Sequence, residues 1–133
     1  MALVVPDAAE EAFLDLILNV NYTLHLFTND PTDGEDLDAG DFTEATFTGY
    51  EAKNLTGGSW TTTPGDPATG TYAVQAFVSS ADQAPQTVYG YYVTTTSGGA
   101  LRWYEKFDEP ITVQYNGEAI RVTPQFTLAD AED

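Results

Sequence analysis

Cysteine is absent from the 133 residues, which removes disulfide staples, thiolate metal sites and thiol nucleophiles together. Basic residues are nearly absent as well. Lys53, Arg102, Lys106 and Arg121 stand against 21 acids, for a formal net charge of −17. So negative a surface repels phosphate backbones and anionic lipid, so neither nucleic acid nor membrane is an expected partner. It suits solubility, a basic partner surface or a salt-rich habitat. A single histidine, His25, has no second imidazole or thiolate to join it at a metal, and neither a metal nor another cofactor is expected. No apolar run approaches the roughly 20 residues of a membrane span. The opening MALVVPDAAEE lacks the basic start and long apolar core of an export signal. These features predict a soluble chain made in a cytoplasm, and the sequons at Asn21 and Asn54 then read as chance matches.

Catalytic motifs are missing too. There is no Gly-x-Ser-x-Gly elbow to build a triad around His25, and no P-loop, GxGxxG or HExxH. Acids are so numerous that any pair chosen for glycoside hydrolysis is uninformative. A non-enzyme is the expectation.

What the chain does have is strands and turns. Thr87 to Phe107, TVYGYYVTTTSGGALRWYEKF, reads as the central hairpin of an antiparallel sheet, turning at Ser97-Gly98-Gly99. Alternation puts Tyr89, Tyr91 and Val93 on one face, with Leu101, Trp103, Glu105 and Phe107 sharing a face of the return strand. Glu105 reads as a half-buried carboxylate satisfied at a sheet edge; a general acid would need a partner and a cleft. Tyr89, Tyr91, Tyr92, Trp103 and Tyr104 put rings on both faces of the hairpin. With one face in a core, the other is expected to offer aromatics to an interface, to a second subunit or to sugar.

The only expected helix follows Pro6, with Asp7 as N-cap and Glu10 completing a capping box. Phe13, Leu14, Ile17 and Leu18 would form its docking stripe; a helix that binds a partner is the second reading. Tyr22–Thr28 alternates as a strand, with Leu24 and Leu26 opposite His25. From Asp30 to Glu44 seven of fifteen residues are acidic, among them Asp30, Asp33, Glu35, Asp36, Asp38 and Asp41. This reads as a long surface loop for solvent or a partner. Calcium is the rival reading, but the spacing is not that of an EF-hand: with Gly34 in the sixth position, Asn29, Pro31 and Asp33 take the ligand positions before it and Gly40 stands where the closing Glu should be. Short strands are expected around Gly49, over Ser59–Thr63 and over the run TYAVQAFVSS, with Pro64–Gly70 a loop. Asp108-Glu109-Pro110 should turn the chain into a strand over Ile111–Tyr115. Asn116-Gly117 then predicts a type I′ hairpin. Its partner strand would be Glu118–Leu128, placed at an edge or bulge by Pro124. About eight short strands with one N-terminal helix predict a single all-β domain over 1–133, a β-sandwich or jelly-roll-like barrel with a helical segment in 1–20 and an acidic tail, 129–133.

Three runs, DFTEATFTGY at Asp41–Tyr50, TVYGYYV at Thr87–Val93 and NGEAIRVTP at Asn116–Pro124, carry a resemblance. With the helix-then-YTLHLFTND opening, they resemble small virion proteins of tailed bacteriophages, in particular capsid decoration (cement) proteins. The resemblance implies a β-rich fold without enzyme activity. It also implies homotrimers or other oligomers on the outer surface of the capsid, with the major capsid protein as partner. On that expectation the aromatic hairpin face packs against sister subunits, and the N-terminal segment or the acidic loop touches the shell. A tail or fibre-associated module that stacks host-surface glycan on Tyr and Trp is the alternative.

Overall fold

A computed structural model describes residues 3–65 and 67–128; the expected acidic tail lies outside them. The protein is all-β, in antiparallel sheets with one short helix. The chain divides into two compact units, one formed by Met1–Asn21, Leu55–Gln75 and Val122–Asp133, the other by Tyr22–Asn54 and Ala76–Arg121. All four basic residues fall in the second.

In the first unit the helix α1 (Asp7–Ile17) lies on a three-stranded sheet of β3 (Thr61–Thr63), β4 (Ala68–Thr71) and β9 (Gln125–Leu128), with β4 in the middle. The capping box does not form. Pro6 is the N-cap, and its carbonyl takes the Ala9 and Glu10 amides at 2.9 Å each, with no side-chain cap. The fixed proline φ already sets the entry geometry, and Glu10 turns inward, buried one and two turns before Leu14 and Leu18. Leu14 and Leu18 approach so closely over Gly70 of β4 that a Cβ there would collide with the Leu18 side chain. Phe13, expected in that buried stripe, is half exposed. The loop expected over Pro64–Gly70 is shorter, because Ala68 to Gly70 belong to β4.

In the second unit, β1 (Tyr22–Phe27) and β6 (Gln86–Thr95) form the middle of a four-stranded sheet. β2 (Lys53–Leu55) flanks β1, and β7 (Leu101–Val113) is the outer strand beside β6. The expected hairpin is there: Thr95 and Ala100 close a turn in which Gly98 and Gly99 take positive φ, +93° and +68°. Gly90 admits no side chain, because a Cβ would run into the Glu105 carbonyl and the Phe27 ring.

Two expected breaks fall elsewhere. Asp108-Glu109-Pro110 does not end a strand. Val88 faces Ile111 while Gly90 faces Lys106, so residues 107–110 bulge out opposite the single residue Tyr89 and the strand resumes. The strand expected from Glu118 to Leu128 is instead cut at Pro124. Its halves are β9 and β8 (Ala119–Val122), and β8 pairs with β5 (Gln75–Val78) in a separate sheet. Proline brings no ladder donor; its carbonyl accepts from Tyr72 N–H at 3.0 Å. The run TYAVQAFVSS is likewise divided between β4 and β5. At Asn116-Gly117 only Gly117 has positive φ, so the turn is not type I′. Glu118 holds it, its carboxylate accepting from the Gln114 and Tyr115 amides at 2.9 and 2.6 Å.

Candidate functional site

The acidic segment closes on itself before it can act as a free loop. Thr28 N–H donates to Thr43 C=O and Ala45 N–H to Leu26 C=O, at 2.8 and 2.9 Å, pinning both ends to β1. Asn29 ties the neck across, donating to Asp41 C=O and accepting from Thr43 N–H. Inside the loop the carboxylates have structural duties. Asp38 caps a 3-10 turn (Ala39–Asp41) through Gly40 N–H, and Asp41 returns a bond to the Asp38 amide at 2.8 Å. Lys106 of β7 reaches Asp30 at 2.9 Å, Asp33 at 3.2 Å and the Pro31 carbonyl at 2.6 Å. Hydrogen bonding to Asp30 above all raises the Lys106 pKa; burial works against it, and the Asp33 hydrogen bond and the two acids' charges add to the rise. Glu35 and Asp36 are exposed. Among the described residues no three His, Asp or Glu side chains gather as ligands for a metal ion.

Two apolar residues in this acidic stretch decide where it lies. Phe42 stacks on Tyr92 at 4.9 Å and 14°, and also meets Phe27 and Tyr104; Leu37 packs beside them. The loop therefore covers one face of the aromatic sheet. Leu24, Leu26, Tyr91 and Val93 are buried on the other face. The expected open aromatic face is accordingly absent at Tyr91 and Tyr92, which are 3% and 5% exposed. Tyr89, Trp103 and Tyr104 stay partly exposed. Glu105 is exposed rather than half-buried and accepts from Tyr91 Oη at 3.0 Å. Burial first, then the Glu105 charge, pushes the Tyr91 hydroxyl well above its ordinary pKa. For Tyr92, burial and then the nearby Glu44 push it up to about 12.

His25 has an arrangement that its sequence position alone did not reveal. Its Nδ1 lies 2.7 Å from Glu44 Oε2 and its Nε2 2.9 Å from Thr94 Oγ1, with the ring stacked on Tyr92 at 4.6 Å. Tyr50 Oη also donates to Glu44, at 2.7 Å, and accepts from Leu26 N–H. Burial above all raises the Tyr50 pKa, with the Glu44 hydrogen bond adding to it. The order hydroxyl, imidazole, carboxylate matches a catalytic relay. Thr94 is buried, 5% exposed, one residue from the end of β6, and the group ties β1, β6 and the loop together.

Of the residues singled out from sequence, four converge. Asp33 and Glu35 from the loop and Trp103 and Tyr104 from β7 line an open groove of about 650 Å³, with Leu37, Leu101 and Arg102. Tyr104 Oη donates to Asp33 and accepts from Gly34 N–H, each at 3.3 Å. Trp103 packs edge-on against Tyr22 at 5.3 Å.

A second surface lies on the first unit. Phe13 and Leu16 are 51% and 70% exposed on the side of α1 opposite Leu14 and Leu18, and Leu3, Val4 and Val20 are exposed just outside the helix. Beside Leu16, a groove of about 330 Å³ runs past Ala12, Asp15 and Trp60. Helical spacing alone had assigned Phe13 to the core. The readable signal was that α1 holds more apolar residues than one stripe can bury.

No protein-family model, curated protein or solved structure matches the chain.

Proposed function

We propose that this chain is a non-enzymatic structural protein of a tailed-phage virion, a capsid decoration protein that docks on the head through the exposed side of α1. The observation that carries the reading is the pair Phe13 and Leu16. A helix apolar on two opposite sides, one already buried, is expected where an assembly covers the other. Each such side chain gains about 1.5–3 kcal/mol on full burial. The surrounding unit has no basic residue, and Asp7 and Asp15 of the same helix are exposed. The fitting partner surface is apolar with a basic rim, which we assign to the major capsid protein. Homotrimers on the outer capsid surface are part of the same reading, bridging capsomers so that added buried area resists the pressure of packaged DNA.

Burial of Tyr91 and Tyr92 leaves the apolar side of α1, rather than the aromatic hairpin, as the better supported contact. It also leaves the glycan-binding alternative fewer open ring faces, since Trp103 is packed on Tyr22. The test is co-sedimentation of the full chain with decoration-free heads of the encoding phage, with light scattering of the chain alone. Binding is expected, and Phe13→Asp with Leu16→Asp should weaken it roughly 100-fold while the circular dichroism stays that of the parent. A monomer at micromolar concentration that stays in the supernatant contradicts the proposal.

A further inference from the structure

We propose that the groove between the acidic loop and the start of β7 is a docking slot for an extended, lysine- or arginine-rich segment of a partner protein, added as a strand beside β7. This stands independently of the virion reading. β7 is the outer strand of its sheet, bonded to β6 on one side. Four successive residues, Leu101 to Tyr104, line the groove. Successive side chains of a strand point to opposite faces, so a groove touched by all four runs along the strand's edge and not across one face. That is the geometry in which an added strand takes up main-chain bonds while a wall reads its side chains. Four residues of an extended partner span roughly 13 Å, and a groove of about 650 Å³ holds them.

The second half of β7 is defended against such pairing by the bulge over 107–110, with Asp108, Glu109 and Pro110. The first half faces a wall instead of solvent. That wall sets the chemistry of the occupant. Asp33 and Glu35 line the groove, and the Asp30–Glu44 segment to which they belong carries five further acids. Lys106 and Arg102 are the cations set against them, and Lys106 is already held by Asp30 and Asp33. The lining carries two acids, Asp33 and Glu35, against one base, Arg102, and that excess of negative charge favours a cationic strand.

The experiment titrates the full chain with a fluorescein-labelled peptide alternating lysine and valine. Three comparisons accompany it: the same peptide with glutamate for lysine, the same peptide N-methylated along one backbone edge, and a panel of soluble oligosaccharides. Saturable binding by the lysine peptide is expected, with amide shifts at residues 33–37 and 101–104. Glutamate replacement and N-methylation should each cost at least about tenfold, the worth of one or two hydrogen bonds or a charge contact. Glu35→Lys should weaken binding by about tenfold, whereas Glu51→Lys, the same charge change at an exposed site outside the groove, should change it little. No binding at millimolar peptide, equal binding of all three peptides, equal effects of the two variants, or oligosaccharide binding at the groove without peptide binding would each overturn the proposal.

Discussion

At the scale of single residues, stability concentrates where a side chain has no room or no substitute. Gly90 is the clearest case, wedged against the Glu105 carbonyl, Lys106 and the Phe27 ring. Gly90→Ala must displace backbone, and a loss of about 1–3 kcal/mol in urea unfolding is expected. Tyr50 joins Leu26 N–H to Glu44, and through Glu44 to His25. Tyr50→Phe keeps the ring but strands that amide and removes one bond to the carboxylate, at a cost of about 1–3 kcal/mol. Near-neutral stability would mean that water replaces the hydroxyl. Glu118 provides a pH test. The Tyr115 amide, then that of Gln114, hold its carboxyl below its ordinary pKa. A depressed folded pKa gives stability that is present above the unfolded value, about 4.3 for Glu, and lost as pH falls through the folded one. The Tm advantage of the parent over Glu118→Gln should therefore be full at neutral pH and shrink below about pH 4.

At the scale of elements, the acidic loop is a cover and not an appendage. Its ion pairs with Lys106 are partly exposed and salt-screened, so the larger holding force is Phe42 seated on Tyr92, Phe27 and Tyr104. Phe42→Ala should cost about 3–5 kcal/mol and raise amide exchange over residues 30–41, whereas Lys106→Met should raise exchange there with a smaller loss of stability. Elements with strong local signals were legible in the sequence. The β6–β7 turn declared itself through Gly98 and Gly99, β1 through its alternation, and the helix through Pro6 and the leucines. What sequence could not show depends on distant chain. Leu37 and Phe42 look incidental in an acidic loop until the ring of Tyr92 arrives beneath them. Pro124 announced a local weakness, yet whether it marks an edge or hands the chain to another sheet is set by Tyr72, some fifty residues earlier. Phe13 and Leu14 share a helical pattern, and only the position of β4 decides which of them is covered.

At the scale of the whole molecule, charge and apolar surface are divided between the units. The first has acids and no base, and it carries the exposed apolar side of α1. The second holds every cation, two of them along the β7 edge. On our reading the first unit faces a basic, apolar shell and the second offers a slot to a cationic strand. Such contacts are selective because the same acidity disfavours nucleic acid during assembly. Raised salt should weaken head binding only in part, since the apolar stripe is unscreened. The most direct test of the proposed virion role is imaging, at side-chain resolution, of the intact phage particle to which that role assigns the chain. We predict the chain on the outer surface of the head with Phe13 and Leu16 buried against the major capsid protein. A particle that lacks the chain, or holds it with those two side chains facing solvent, contradicts the account.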